Sequence, residues 1–198
     1  MTRGNGTLVG WIARDTLIFL LLAFVCAALN AWTVGGTGVL AAAIGTAFGF
    51  VSAYVGCYIV HEWGHLIGAR ASGASMPFNH YRTPLIGAFD PSAHSTRQFL
   101  ALSWGGVVGY LLVAAAMLLI YLHGALNWVG AGLATGGAAF VVQSLAVDLP
   151  QINRVRRGAD PVATNREGTT PAIILRRTWQ TWLPLAVLIG AAKLVSAG

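Results

Sequence analysis

Apolar residues along this chain form long continuous runs rather than an alternating or a one-sided pattern. Five such runs are separated by short polar segments, and they cover about residues 16–34, 38–60, 99–122, 126–147 and 182–197. The first four are close to the ~20 residues that a helix needs to cross a bilayer. The fifth is shorter and contains Pro184 and Lys193. It either spans the membrane with its lysine reaching the surface or lies along the interface.

This pattern predicts an all-α fold, a polytopic transmembrane helix bundle of about five spans. Glycines crowd the second, third and fourth runs, and in lipid such small residues allow helices to approach closely. Because the runs form one bundle without an internal repeat, we predict a single integral membrane domain over residues 1–198. Composition agrees, since 56% of the residues are hydrophobic and only 9% are charged, against about 25% charged residues in soluble domains.

The charges indicate an orientation in the membrane. Twelve Lys and Arg residues against six Asp and Glu residues give a formal net charge of +6. The basic residues stand between apolar runs and do not form a patch interleaved with aromatic residues. Their positions are therefore better explained by membrane topology than by nucleic-acid binding. Arginines occur before the first run, after the second and after the fourth, whereas the two other connections have none. The positive-inside rule then predicts a multi-pass protein of the inner or plasma membrane with a cytoplasmic N terminus.

The strongest chemical signal is the sequence His61-Glu62-Trp63-Gly64-His65 at the end of the second run. Residues four apart share one face of a helix, so the two imidazoles can bind one zinc ion. The glutamate between them can act as a general base toward the attacking water. Random placement of five His and two Glu predicts on the order of 0.001 such motifs in the chain. The HExxH motif therefore predicts a zinc centre, and the alternative is a set of polar residues hydrogen-bonded at a helix end.

A catalytic zinc ion usually has three protein ligands and one open position, and few side chains can supply the third ligand. Asp148 ends the fourth run, at the membrane depth of the motif. Asp160 follows in a Gly-Ala-Asp-Pro sequence that is typical of a turn. The remaining groups are assigned other roles. Asp90 is placed in a loop turn, Asp15 is interpreted as a helix cap, Glu167 as a solvated side chain, and His80 and His94 as loop residues. His123 is placed on the opposite side of the membrane, and Cys26 and Cys57 are interpreted as small buried residues.

These residues resemble the site-2 protease family of intramembrane zinc metalloproteases. HEWGH at the end of a span is similar to that family's HExGH element. The segments PLIGAF at 84–89 and ALSWGGVVG at 101–109 are similar to its PLGGY and ALAGPxxN segments. The fourth run, with Asp148 and Pro150 and then Asp160, is similar to the third core helix with its N-x-x-P and D-G elements. The resemblance covers about residues 38–161 and implies a three-helix core.

The resemblance implies that His61, His65 and Asp160 bind Zn2+, with Asp148 as the alternative third ligand, and that Glu62 is the catalytic residue. Asp148 stands where the family has Asn, and Pro161 follows Asp160 where the family has Gly. The implied activity is hydrolysis of peptide bonds in membrane-protein substrates near the cytoplasmic face. The expected partners are therefore a membrane-protein substrate and the lipid bilayer. The alternative is a catalytically inactive membrane scaffold or binding protein of the same fold.

Overall fold

The computed structural model of the chain describes residues 6–35, 38–81, 83–123 and 128–168, and these ranges are largely helical. The elements are α1 (Leu8–Gly35), α2 (Val39–Ala71), α3 (Thr96–Leu122), α4 (Trp128–Arg156) and the short α5 (Pro161–Gly168), with one 3-10 turn at Pro91–Ala93. Within the described ranges, β structure is limited to an isolated bridge between Phe78 and Gly87. The all-α helical bundle predicted from the sequence is confirmed.

Four helices, α1 to α4, are long and apolar enough to cross a membrane, as expected of a membrane protein. They extend beyond the apolar runs that predict them. α1 begins at Leu8 rather than near residue 16, and α2 continues through the HExxH motif to Ala71. Cys26 and Cys57 are buried, as predicted, and both are free thiols. The fifth apolar run, 182–197, lies outside the described residues.

The end of α4 corrects one prediction. The sequence places the end of the fourth span at Asp148, whereas α4 continues to Arg156 with Pro150 inside it. Proline has no N–H group, so the carbonyl of Ala146 loses its helical partner. Membrane helices tolerate this because neighbouring groups can satisfy the freed carbonyl. Asp148 is consequently an interior residue of a helix rather than its last residue.

Glycines determine how closely the helices approach. α2 packs along both α3 and α4, and α1 lies outside this three-helix core. A Cβ atom on Gly64 would lie 2.2 Å from the carbonyl oxygen of Gly105, and one on Gly68 would lie 2.2 Å from that of Ala101. We call Gly64, Gly68 and Gly105 the glycine seam. It brings the α2 and α3 backbones into contact, as small residues do in membrane proteins.

The contact between α2 and α4 allows this packing to be tested. A Cβ atom on Gly132 would lie 2.2 Å from the carbonyl oxygen of Thr46, so alanine there must push the helices apart. Alanine gains about 1 kcal/mol of helix propensity, but we expect overpacking to outweigh it and Gly132→Ala to lose roughly 1–2 kcal/mol of stability. Gly38→Ala, whose Cβ meets nothing within 4 Å, is the control. Equal unfolding free energies of the two variants in mixed detergent micelles would contradict the close approach.

The connection between α2 and α3 packs against the helices at one end of the bundle. We call this end, where the HExxH motif lies, the motif end. A buried apolar cluster there joins α1, α2 and the connection, and it contains Trp11, Leu66, Ala69, Ala74, Met76 and Ile86. Trp11 and Ile86 are fully buried. The HExxH motif therefore lies beside a packed loop.

Candidate metal centre

The two histidines of the motif bring their Nε2 atoms together. His61 and His65 lie about one turn apart on α2, and their Nε2 atoms are 3.0 Å apart. Ligand atoms of His61, Glu62 and His65 all lie within 4.8 Å of one another. Glu62 is only 5% exposed. The three motif residues singled out by the sequence are therefore close enough together to contact one ion.

Backbone atoms of α3 orient the imidazoles. Nδ1 of His65 lies 2.8 Å from the carbonyl oxygen of Leu102. Because a carbonyl can only accept a hydrogen bond, Nδ1 carries the proton and Nε2 keeps its lone pair for a metal ion. Gly106 leaves room for both rings, since a Cβ atom there would lie 2.4 Å from Cε1 of His65 and 2.9 Å from Cε1 of His61. Any side chain at this position would displace the imidazoles.

This arrangement fits a divalent metal ion. A tetrahedral zinc ion with bonds of about 2.0–2.1 Å to two imidazoles separates the nitrogens by about 3.3 Å, close to the 3.0 Å between these Nε2 atoms. Nδ1 of His61 is buried and faces the backbone of Gly106 on α3.

A cavity of 210 Å3 opens beside the two imidazoles. Asp148 reaches it from α4 and is the acid that lines it together with the histidines. Its lining is completed by residues of α3, α4 and α5, namely Phe99, Leu102, Ser103, Val147, Gln151 and Asn165. The lining therefore includes one hydroxyl, from Ser103, and two side-chain amides, from Gln151 and Asn165.

Asp160 lies elsewhere and has a structural role. It is exposed and does not line the cavity. Its carboxylate oxygens accept hydrogen bonds from the backbone N–H groups of Val162, at 3.2 Å, and Ala163, at 3.1 Å. These contacts cap the N terminus of α5. Of the two acids that the sequence leaves open, the structure therefore groups Asp148 with the histidines.

Asp15 is not the helix cap that the sequence suggests, because α1 begins at Leu8 and the residue lies inside the helix. It is only 3% exposed. Its carboxylate accepts a hydrogen bond from the indole Nε1 of Trp63 at 2.7 Å and forms an ion pair with Arg14 at 2.6 Å. α1 thus contacts the HExxH motif directly. No sequence pattern relates these residues, which are 48 positions apart.

Other acids and histidines have local roles. Oδ1 of Asp90 accepts hydrogen bonds from the N–H and the hydroxyl of Ser92, and these hold the pKa of the Asp90 carboxyl below its usual value. Both ring nitrogens of His94 bond to backbone groups of the same connection. Glu167 is exposed and pairs with Arg154 at 2.6 Å. The turn, loop and solvent assignments predicted for Asp90, His94 and Glu167 are confirmed.

The loop after α2 holds the Glu62 carboxylate. Oε2 of Glu62 accepts a long hydrogen bond, 3.4 Å, from the backbone N–H of Ile86. Ile86 belongs to the 84–89 segment noted in the sequence. A carboxylate with so little hydrogen bonding keeps acceptor capacity for a proton. The site can therefore hold a metal ion through two imidazoles and accept a proton beside it, as metal-assisted hydrolysis requires.

Comparison of the chain with protein-family models, with curated proteins and with solved structures found no match.

Proposed function

We propose that this protein is an intramembrane zinc metalloprotease that hydrolyses peptide bonds of membrane-protein substrates. One observation carries the proposal. The Nε2 atoms of His61 and His65 meet at 3.0 Å beside the buried carboxylate of Glu62, in a helix long and apolar enough to cross a membrane. Ionisable residues in such a helix are costly and usually functional. Because the helix that carries the site is long and apolar enough to span a membrane, membrane proteins are the proposed substrates.

The zinc ligands in this proposal are His61, His65 and Asp148. Asp148 replaces Asp160, the first expectation, because it lines the same cavity as the imidazoles while the Asp160 carboxylate caps α5. Three protein ligands and one open position are typical of catalytic zinc. When bound, zinc supplies Lewis-acid chemistry, which polarises a carbonyl group and makes water an effective nucleophile near neutral pH.

Glu62 moves the proton in the proposed reaction. Its carboxylate lies within 4.8 Å of the histidine ligand atoms, so it can take a proton from the attacking water and deliver it to the leaving amide nitrogen. The N–H of Ile86 binds Oε2, and the carboxylate keeps acceptor capacity for the proton. His65 stays correctly oriented because its Nδ1 proton is donated to the Leu102 carbonyl.

The cleavage site is assigned to the cytoplasmic face. In the sequence, the arginine-bearing segments fall before α1, between α2 and α3, and after α4, and the positive-inside rule makes that side, which is the motif end, cytoplasmic. Peptide bonds within a helix are shielded by their own hydrogen bonds, so a substrate helix must unwind locally before it is cut. Gly- and Pro-rich segments near this face are the expected substrates, because they favour unwinding.

Purified protein in liposomes tests this function. The substrates are single-span fusion proteins with a Gly-Pro segment near the cytoplasmic end of the span, and their matched controls carry Leu and Ala there. We expect near-stoichiometric zinc and preferential cleavage of the first set, loss of both with a zinc chelator, and recovery of both on adding zinc. A metal-replete protein that holds no zinc and cleaves none of these substrates would contradict the proposal. It would leave the inactive scaffold of the same fold.

A further inference from the structure

We propose that Arg14 and Asp15 of α1 are positioning residues that fix the Glu62 carboxylate in the metal centre. They act through Trp63 and through the loop segments 79–81 and 83–86. This inference rests on the proposed function of Glu62 as the proton carrier. It gives a role in the reaction to α1, which lies outside the three-helix core that carries the HExxH motif.

Asp15 joins α1 to the motif helix. Its Oδ2 accepts the indole N–H of Trp63 at 2.7 Å, and its Oδ1 accepts Nε–H of Arg14 at 2.7 Å. Both carboxylate oxygens are therefore used, and the residue is only 3% exposed. Loss of one partner from such a pair leaves a buried charge uncompensated. Because Trp63 directly follows Glu62, holding its indole restrains the turn of α2 that carries the carboxylate.

Arg14 joins α1 to the loop. Its Nη1 donates to the carbonyl oxygens of Tyr81 and Thr83, both at 3.3 Å. Its guanidinium carbon lies 3.8 Å from the ring centroid of Trp11. One planar group thus serves a carboxylate, two carbonyls and an aromatic face, which the compact ammonium group of lysine cannot do. Arg14 and Asp15 therefore tie the loop and the motif helix to the same turn of α1.

The loop transmits this restraint to the carboxylate. The N–H of Asn79 donates to the carbonyl of Ile86 at 2.9 Å, and the indole of Trp11 donates to the carbonyl of Asn79 at 3.1 Å. Ile86 is fully buried, and its N–H reaches Oε2 of Glu62 at 3.4 Å. A hydrogen bond of this length is lost on a small further displacement. A shift of the loop therefore frees the carboxylate without moving a histidine ligand.

Two readouts on the full chain in liposomes test this inference: hydrogen exchange at the Ile86 amide, and kcat on the cleaved fusion substrate. Arg14→Gln removes the positive charge and the planar guanidinium group that contacts Asp15, Tyr81 and Thr83. We expect about tenfold faster exchange at Ile86 and a fall in kcat of about tenfold or more with KM little changed. Zinc content should stay at the wild-type level. Arg14→Lys should recover only part of either loss, and Asp15→Asn provides a second variant should Arg14→Gln not fold.

The matched control is Cys26→Ala. Cys26 contacts Ser52 at 3.6 Å and so joins α1 to α2 away from the loop. It should leave both readouts at wild-type values. Equal losses in Arg14→Gln and Cys26→Ala would overturn the inference, because they would indicate general loosening of α1. Faster exchange without a fall in kcat, or no change in either readout, would also overturn it.

These outcomes are separate from failure of the proposed function. A wild-type protein that binds zinc but cleaves no substrate contradicts the protease activity, and with it the part of the inference that concerns catalysis. The exchange rate at Ile86 needs no turnover. It still tests whether Arg14 and Asp15 fix the loop against Glu62, and unchanged exchange in Arg14→Gln and Asp15→Asn would overturn that coupling as well.

Discussion

Replacing Glu62 with glutamine should abolish turnover and leave the metal in place. Glutamine has nearly the same shape and keeps an oxygen that can accept the Ile86 N–H, but an amide cannot take a proton from the attacking water. Loss of a general base lowers kcat by about 10²–10⁴-fold, and we expect a fall within that range. Zinc should remain near-stoichiometric, because the imidazoles of His61 and His65 are unchanged.

The chain provides a matched control for this substitution. Glu167 is the other glutamate in the sequence. It is exposed and paired with Arg154, and surface pairs of this kind contribute little. Glu167→Gln should therefore keep wild-type kcat on the same fusion substrate in liposomes. Retained activity of Glu62→Gln would remove Glu62 from its proposed role, and loss of zinc from that variant would make it a ligand instead.

Removing the carboxylate of Asp148 should empty the metal centre, whereas removing that of Asp160 should not. Asp148 lines the cavity beside the imidazoles, and a zinc ion left with only two protein ligands should bind at least about 100-fold more weakly. Asp160→Ala removes a helix cap that contributes about 1 kcal/mol and changes nothing at the histidines. We therefore expect Asp160→Ala to retain zinc and to be slightly less stable.

Zinc content per purified molecule distinguishes the two acids, and competition with a chromophoric chelator gives the affinities. His61→Ala provides the zinc-free reference, and unfolding of each variant in detergent separates loss of metal from loss of fold. The reverse pattern, with zinc lost from Asp160→Ala and kept by Asp148→Ala, would return the third ligand to Asp160. It would also require α5 to give up its cap when metal binds, since both Asp160 oxygens are used there.

The helical fold and the proximity of His61 and His65 can be predicted from the sequence because both depend on residues that are close together in the chain. A helix in lipid needs continuous apolar length, and that length is visible in the sequence for each of the four long helices. His61 and His65 are four residues apart in one such helix, so a single turn suffices to predict that they share a face. The helix ends are less visible. Arg14 and Asp15 interrupt the apolar run of α1, although the helix begins at Leu8, and the mixed polar and apolar segment after Asp148 continues α4 to Arg156.

The third ligand and the role of α1 depend on contacts between distant elements. The linear order leaves both acids open, with Asp160 as the first expectation and Asp148 as the alternative, and both lie near a proline. They differ because α4 continues through Pro150 and keeps Asp148 on a packed helix, while Asp160 begins the next one. Asp15 resembles a cap because an acid before an apolar run is typical of one. Asp15 instead contacts Trp63, because α1 packs against α2.

The glycine seam relates the spacing of two helices to the orientation of His65. Gly64 lies between the two histidines, and its contact with Gly105 sets the separation of α2 and α3 at the level where His65 meets the Leu102 carbonyl. A change in that separation would move the Leu102 carbonyl relative to Nδ1 of His65. The contact that holds α2 against α3 is therefore also the contact that orients one histidine of the proposed site.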